Sequence, residues 1–374
     1  MAPPAVDRAK VLAYRVASQQ LHRADVDLHG MAVLDLGVQD TPYGSARLAL
    51  AARTSRPPDR LPDRPADDPA LTLLWSTRGA PHLHHTADLP ALTTALWPLN
   101  DADATGRINT ATIKDGARLG LAAFVQTARA FREAVREPMP KGEVSTAVSA
   151  MVDRSLTYDC EPCKARHISG ALFQQAGLAG AVRLELAGSA TMLVPLPDPP
   201  PIPAFAADVP RVVTAYLRLL GPATPAEAAT FIGTAPTHLR RVWPDGLAEV
   251  TIDGRRAWLP EDRLPALRDP PPARVLRLLP PGDPYLQARD RHLLIPDAGR
   301  RSAVWRPVAC PGALLVNGEI AGVWRSRMAG GRAVAFTVTP FDALAATVRR
   351  AVEEEAGRVA AARGADAARV TFGE

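Results

Sequence analysis

The stretch Leu247-Ala-Glu-Val-Thr-Ile-Asp-Gly-Arg-Arg-Ala-Trp-Leu259 holds two runs of strand-forming residues that meet at Asp253-Gly254. Asp-Gly suits the two positive-φ positions of a type I′ turn, so the stretch reads as a β-hairpin. Ahead of it lie a helical pattern over Val209–Leu220, a capped start at Thr224-Pro225-Ala226-Glu227, and a third helical segment over 236–243. Helices followed by a hairpin are the order of a winged helix.

The same order is expected twice upstream. Residues 8–21 repeat Val11, Leu12, Val16 and Leu21 at helical spacing, Thr41-Pro-Tyr-Gly-Ser45 is turn chemistry, and Ser45 is placed to cap a helix over 46–53. A proline- and charge-rich loop over 57–69 precedes two strands within 71–85, joined at Gly79 to Pro81. In the middle section, helical segments at 108–135, 143–152 and 168–176 precede strands at 181–186 and 190–194, with Gly188 and Ser189 between them. Six prolines in residues 195–203 mark a linker, because proline can neither donate to a ladder nor continue a helix. Beyond 272 the pattern changes to strands at 275–279, 304–308, 313–317, 319–325 and 333–339, with Asn317-Gly318 as a hairpin apex and a helix over 341–363. The fold class expected is α+β: three tandem winged-helix units (1–104, 105–203, 204–272), then a small C-terminal β-barrel with its terminal helix (273–374).

Composition narrows the class without fixing the function. An apolar content of 47% over 374 residues is ample for a core in each section. The sequence lacks a long uncharged apolar run and a secretory-type start, so a cytoplasmic protein without membrane segments is expected. The net charge of +5 is compatible with a polyanionic partner and does not demand one. Lysine occurs at only four positions (10, 114, 141 and 164), so arginine carries nearly all the positive charge. Arginine's planar fork suits phosphate and base edges, although a GC-rich genome enriches arginine, alanine and proline together. Cys160, Cys163 and His167 have zinc-ligand spacing, but a closed site wants a fourth ligand that the segment does not offer; unmetallated thiols are the preferred reading and no metal or cofactor is expected. Without a zipper-like heptad pattern, a monomer is expected.

Several stretches together resemble one family, the AlkZ-type DNA glycosylases. Gly37-Val-Gln-Asp-Thr-Pro-Tyr-Gly-Ser-Ala-Arg-Leu-Ala-Leu50 is similar to the family's catalytic segment, in which two glutamines flank one residue ahead of a helix of small residues. Thr77-Arg-Gly-Ala-Pro-His-Leu83 with Ala87-Asp-Leu89 resembles its first wing. Gly221-Pro-Ala-Thr224, Asp253-Gly-Arg-Arg256, Leu278-Leu-Pro-Pro-Gly-Asp-Pro-Tyr-Leu286, Arg289-Asp290, Val304-Trp-Arg-Pro307 and Val316-Asn-Gly318 fit as well, and the likeness spans nearly the whole chain. It implies a C-shaped arrangement of the winged helices with a concave basic face for duplex DNA, and hydrolysis of the N-glycosidic bond of N3- or N7-alkylated purines, bulky or crosslinked adducts among them.

Under that resemblance Gln39 takes the first catalytic position and Thr41 the second, where the family more often has glutamine or aspartate, with Asp40 between them as a further candidate. The competing reading is that Gln39 and Asp40 only cap the helix that follows. The resemblance places Arg78, His82 and His84 in the first wing, and Arg255 and Arg256 in the third, as DNA contacts. Arg47, Arg240, Arg241, Arg289 and Arg291 complete the candidate DNA-binding set, and Asp283 and Tyr285 are expected to be structural or to orient the nearby Arg289 and Arg291. Trp305 and Trp324 are expected in the core. Two further functions stay open: a non-catalytic DNA-binding protein, and an adaptor that binds no nucleic acid.

Overall fold

The computed structural model describes residues 3–373 apart from 163, 188 and 189. The expected turn residues Gly188 and Ser189, and Cys163 of the cysteine pair, therefore lie outside the described residues. The chain is a mixed α+β protein that divides into two compact units, one built from residues up to Asp68, Thr214–Thr224 and everything from Asp245 onward, the other from Pro69–Val213 and Pro225–Pro244. These units cut across the four consecutive sections read from the sequence.

In the first unit the opening helix is Arg8–Ser18, started by the Asp7 carboxylate, which accepts from the Lys10 N–H at 2.8 Å. Its Val11 and Tyr14 pack with Val250, Ile252, Leu259, Leu267 and Leu293. The hairpin Leu247–Ile252 and Arg255–Pro260 forms as expected, with Asp253 and Gly254 at φ +47° and +79°, and the short strand Ala5–Val6 pairs parallel to its first arm. A second core lies under the C-terminal sheet, whose strands run in the order Leu276–Leu279, Gly312–Val316, Glu319–Ala329, Ala333–Pro340 and Ala367–Phe372. Leu278, Leu314, Trp324, Phe336 and Val338 face Val352, Ala356 and Val359 of the helix Ala346–Ala362.

Several expectations for this half need correction. The C-terminal sheet is open, with Leu276–Leu279 and Ala367–Phe372 at its two edges, and is covered by a helix rather than closed into a barrel. The strand expected over 304–308 is absent: Asp297 accepts from the Arg300 N–H at 2.7 Å and starts the helix Ala298–Val304, so Trp305 sits at a helix end, half-buried, not in a core strand. The last helix is shorter than expected at its start, and the chain returns after it in a strand parallel to Ala333–Pro340, a βαβ connection that alanine-rich Ala367-Ala-Arg-Val-Thr-Phe372 does not announce.

The second unit contains the hairpin Leu71–Trp75 and Pro81–His85, the helices Asp101–Ile108, Leu121–Ala134, Lys141–Met151 and Gly170–Ala176, and the pair Val182–Ala187 and Ala190–Pro195, extended at its edge by Met139–Pro140. The single helical stretch expected over 108–135 is broken in two places, and Gly120 at φ +56° lies just before its last helix, Leu121–Ala134. An additional hairpin, Thr157–Cys160 and Ala165–Ile168, ends its first arm on Cys160, and His167 stands opposite Tyr158 in its ladder.

Two buried ion pairs tie the first unit together. Arg53 and Asp283 form a bidentate pair at 2.8 Å for each contact, both fully buried, and Arg53 also donates to the Ala49 carbonyl and to Gln19 Oε1. Arg15 and Asp290 form the second, with contacts of 3.0 and 2.5 Å, and Arg15 Nε donates to the Gly221 carbonyl. Removing one partner of such a pair strands a charge in the interior. Arg53→Ala is therefore expected to lower the unfolding free energy by about 3–5 kcal/mol, read from the urea midpoint at constant slope.

Candidate functional site

Gly37 at φ +87° turns the chain into the short strand Val38–Gln39, whose Val38 is buried. The backbone then passes through Asp40, the cis Thr41-Pro42 peptide and exposed Tyr43 to Gly44, again at φ +87°, before the helix Ser45–Ala51. Gly44 occupies the N-cap position, where its left-handed backbone suits glycine; Ser45 is the first helical residue and not the cap. The capping oxygen comes from Asp40, whose carboxylate accepts from the Ala46 N–H at 2.9 Å. Burial raises the Asp40 pKa against the opposite pull of the Ala46, Gly44 and Ser45 N–H groups. Asp40 is thus committed to the helix start, while Thr41 stands exposed.

Gln39 is held differently. Its Oε1 accepts from Gln287 Nε2 at 3.0 Å, the same nitrogen donates to the Gly282 carbonyl at 3.3 Å, and Gln287 Oε1 accepts from Arg289 Nη2 at 3.1 Å. Gly282 has φ +73°, and a Cβ there would stand 3.0 Å from Gln39 Cδ, so the glutamine amide lies against bare backbone. Residues 283–290, which carry Gln287 and Arg289, are fixed at both ends by Asp283 on Arg53 and Asp290 on Arg15. Between them Tyr285 donates its hydroxyl to the Gly318 carbonyl at 2.8 Å, with burial pushing its pKa up, and Trp305 Nε1 donates to the Leu286 carbonyl at 3.1 Å.

A family described as "DNA glycosylase AlkZ-like" matches residues 33–362 of this chain. The chain belongs to the AlkZ-like DNA glycosylase family. A curated relative, the interstrand DNA cross-link repair glycosylase of Streptomyces sahachiroi, is 33% identical over 165 residues, which span 41% of this chain and 43% of the relative. The solved structure of Streptomyces sahachiroi DNA glycosylase AlkZ superposes with a TM-score of 0.73, covering 99% of this chain and 100% of that one at 22% identity, a likeness of fold.

Among the AlkZ-like features read from the sequence, the structure brings Gln39, Asp283, Tyr285 and Arg289 into one neighbourhood of the first unit, with Gln287 added. Gln287 escapes a reading of the sequence because nothing local marks a lone glutamine two residues after Tyr285; only the fold brings it to Gln39. Asp283 orients neither Arg289 nor Arg291, since its carboxylate is taken by Arg53 and by the Tyr285 N–H. Arg291 stacks on the Trp305 ring, 4.7 Å from its centroid.

Four of the arginines and histidines expected on DNA are engaged inside the protein. Arg47 is buried, with its guanidinium on the Ala362, Pro58 and Leu61 carbonyls and on Asp63. Arg78, at φ +56°, donates to the Phe231 carbonyl and lies over the Phe231 ring, with Gly233 leaving room for its stem. His82 is buried and engages the Ala80 carbonyl through Nδ1, and His84 is buried with Nε2 on Ser76 Oγ at 2.9 Å. Each of the four thus has a polar partner within the protein. Arg240, Arg241, Arg255 and Arg256 stay on the surface: the first two follow the one-turn helix Pro236–Leu239, and the last two open the returning arm of the 247–260 hairpin. Arg255 contacts His292 Nε2 at 2.9 Å and Arg256 pairs with Glu249 at 3.2 Å. No group of three or more His, Cys, Asp or Glu suited to a metal ion occurs among the described residues.

His84 has a thermodynamic signature. Its pKa is lowered to about 3, chiefly by burial and next by His82, whereas an unfolded histidine titrates near 6.5. The unfolded chain therefore binds the extra proton first as pH falls. The contribution of His84 is complete above about pH 6.5 and declines by roughly 1.4 kcal/mol per pH unit toward pH 3. Unfolding titrations should show a shallower slope between pH 6 and 4 in His84→Gln, which keeps a polar group for Ser76.

Proposed function

We propose that the protein is a monofunctional DNA glycosylase that hydrolyses the N-glycosidic bond of N3- or N7-alkylated purines in duplex DNA, with Gln39 holding the attacking water. Family membership supports this, and the observation that carries it is the placement of Gln39: an amide on a short strand, half-buried, with its oxygen fixed by a neighbouring donor. Alkylation at N7 or N3 makes the purine cationic, so the base departs with the bond pair as a neutral ring and needs no strong general acid. The work left to the protein is to place a water at the anomeric carbon and stabilise the cationic sugar. Gln39 Oε1 has a second lone pair beside the one that Gln287 uses, and it can accept a hydrogen bond from that water. The C1′–O bond forms as the C1′–N bond breaks, and the proton of the attacking water passes to solvent. Thr41 can add a hydroxyl on the exposed side.

On this reading the helix-plus-hairpin sections act as winged helices in a C-shaped array on one DNA duplex, the protein works as a monomer in the cytoplasm, and Arg240, Arg241, Arg255 and Arg256 meet phosphates. The cross-link repair named for the Streptomyces sahachiroi relative extends the proposed substrates to bulky and crosslinked N7 adducts. The commitment of Asp40 to the helix start, together with threonine at position 41, favours one rival: a DNA-binding protein without catalysis.

Incubation with a duplex carrying one N7-methylguanine decides between them. Wild type is expected to generate abasic sites, and Gln39→Ala to slow excision by about 100-fold or more with binding intact. Salt-dependent binding without excision of this or a bulkier N7 adduct is the outcome that leaves the non-catalytic rival. In parallel, Arg240→Ala with Arg241→Ala, or Arg255→Ala with Arg256→Ala, should each reduce the slope of log K against log salt by about two, one for each phosphate no longer neutralised.

A further inference from the structure

Under the resemblance read from the sequence the catalytic segment carries two oxygen-bearing side chains, and here the second position is an exposed threonine. We propose that Gln287 supplies the missing second carboxamide as a positioning residue, fixing which end of the Gln39 amide is oxygen, and that Arg289 sets the direction of this bond. The proposal rests on the assignment of Gln39 as the water-holding group.

A glutamine amide can turn over, exchanging a carbonyl oxygen for an NH2 of nearly the same shape. Only one orientation offers an acceptor to water at a given spot. The direction here is imposed from one end. A guanidinium has donors and no acceptor, so the contact from Arg289 Nη2 at 3.1 Å requires the oxygen of Gln287 on that side. Its nitrogen then faces the other way, where two acceptors meet it: the Gly282 carbonyl at 3.3 Å and Gln39 Oε1 at 3.0 Å. Reversing Gln287 would set its NH2 against the Arg289 donor and its oxygen against the Gly282 carbonyl. Reversing Gln39 would set NH2 against NH2.

The parts are anchored by groups that do not reach the site. The Arg289 N–H donates to the Tyr216 hydroxyl, and Asp290 is clamped by buried Arg15. Gly282 keeps the back of the Gln39 amide free of side chains, since a Cβ there would lie 3.2 Å from Nε2. Because both polar ends of Gln287 have partners, it acts through Gln39 and not on the DNA.

The test is a double-mutant cycle in single turnover on the N7-methylguanine duplex, with DNA affinity measured beside it. Gln287→Met keeps the volume and removes the donor. It is expected to slow excision about tenfold at unchanged affinity, and the double variant with Gln39→Ala should be no slower than Gln39→Ala alone. An unchanged rate in Gln287→Met, or rate reductions that multiply in the double variant, overturns the proposal and leaves Gln39 in its role. Full activity in Gln39→Ala overturns both. A readout independent of turnover guards against a structural artefact: in nitrogen-15-labelled protein the Gln287 side-chain N–H directed at Gln39 should be shifted and slow to exchange, and should lose both properties in Gln39→Ala and in Arg289→Ala. An NH2 signal at the position of free glutamine in wild type overturns the proposal whatever the activity.

Discussion

The pairing of Arg53 with Asp283 and of Arg15 with Asp290 is the constraint on which the site depends. Charges sealed from water are tolerated only when closely paired, and removal of one side alone is heavily destabilising. Both carboxylates belong to one short stretch, and both guanidiniums come from the N-terminal part of the chain. The stretch between the carboxylates therefore has little freedom to shift, and the amide of Gln39 is presented against a fixed surface.

Two adjacent residues of the Val38–Ser45 segment show how a bend can divide labour. Asp40 faces the start of the following helix and satisfies its N–H groups, while Gln39 one residue earlier faces the 282–289 backbone. Of these two residues it is Asp40 whose carboxylate meets the helix start. The positive-φ glycines on either side of the bend let the chain enter and leave it without a Cβ clash.

Much of this architecture is legible in the sequence because it is written locally. Asp253-Gly254 and Asn317-Gly318 carry their turn chemistry in two residues, and the helix spacings follow from periodicity. What escapes is whatever depends on distant partners. Arg47 and Arg78 look like surface cations until the fold surrounds them with carbonyls or an aromatic ring. His82 and His84 alternate with apolar residues in a strand, a pattern that fits a wing on DNA as well as a core, and only the packed neighbours decide. The last strand escapes because its parallel partner, Ala333–Pro340, lies on the far side of the intervening helix, beyond any local pattern. Gln287 lies 248 positions from the residue it touches, and no spacing rule reaches that far.

The guanidiniums fastened to main-chain oxygens have a consequence for what the chain tolerates. Arg47 spans carbonyls from two separate segments, Arg132 joins the Ala179 and Pro200 carbonyls, and Arg277 joins those of Ala52 and Leu276. A flat fork with five donors can bridge such oxygens at once, whereas an ammonium is a single point that must choose among them. Wholesale recoding of arginine to lysine, a formally charge-neutral edit, would thus unpick stitches between segments of the backbone while keeping every positive charge at neutral pH.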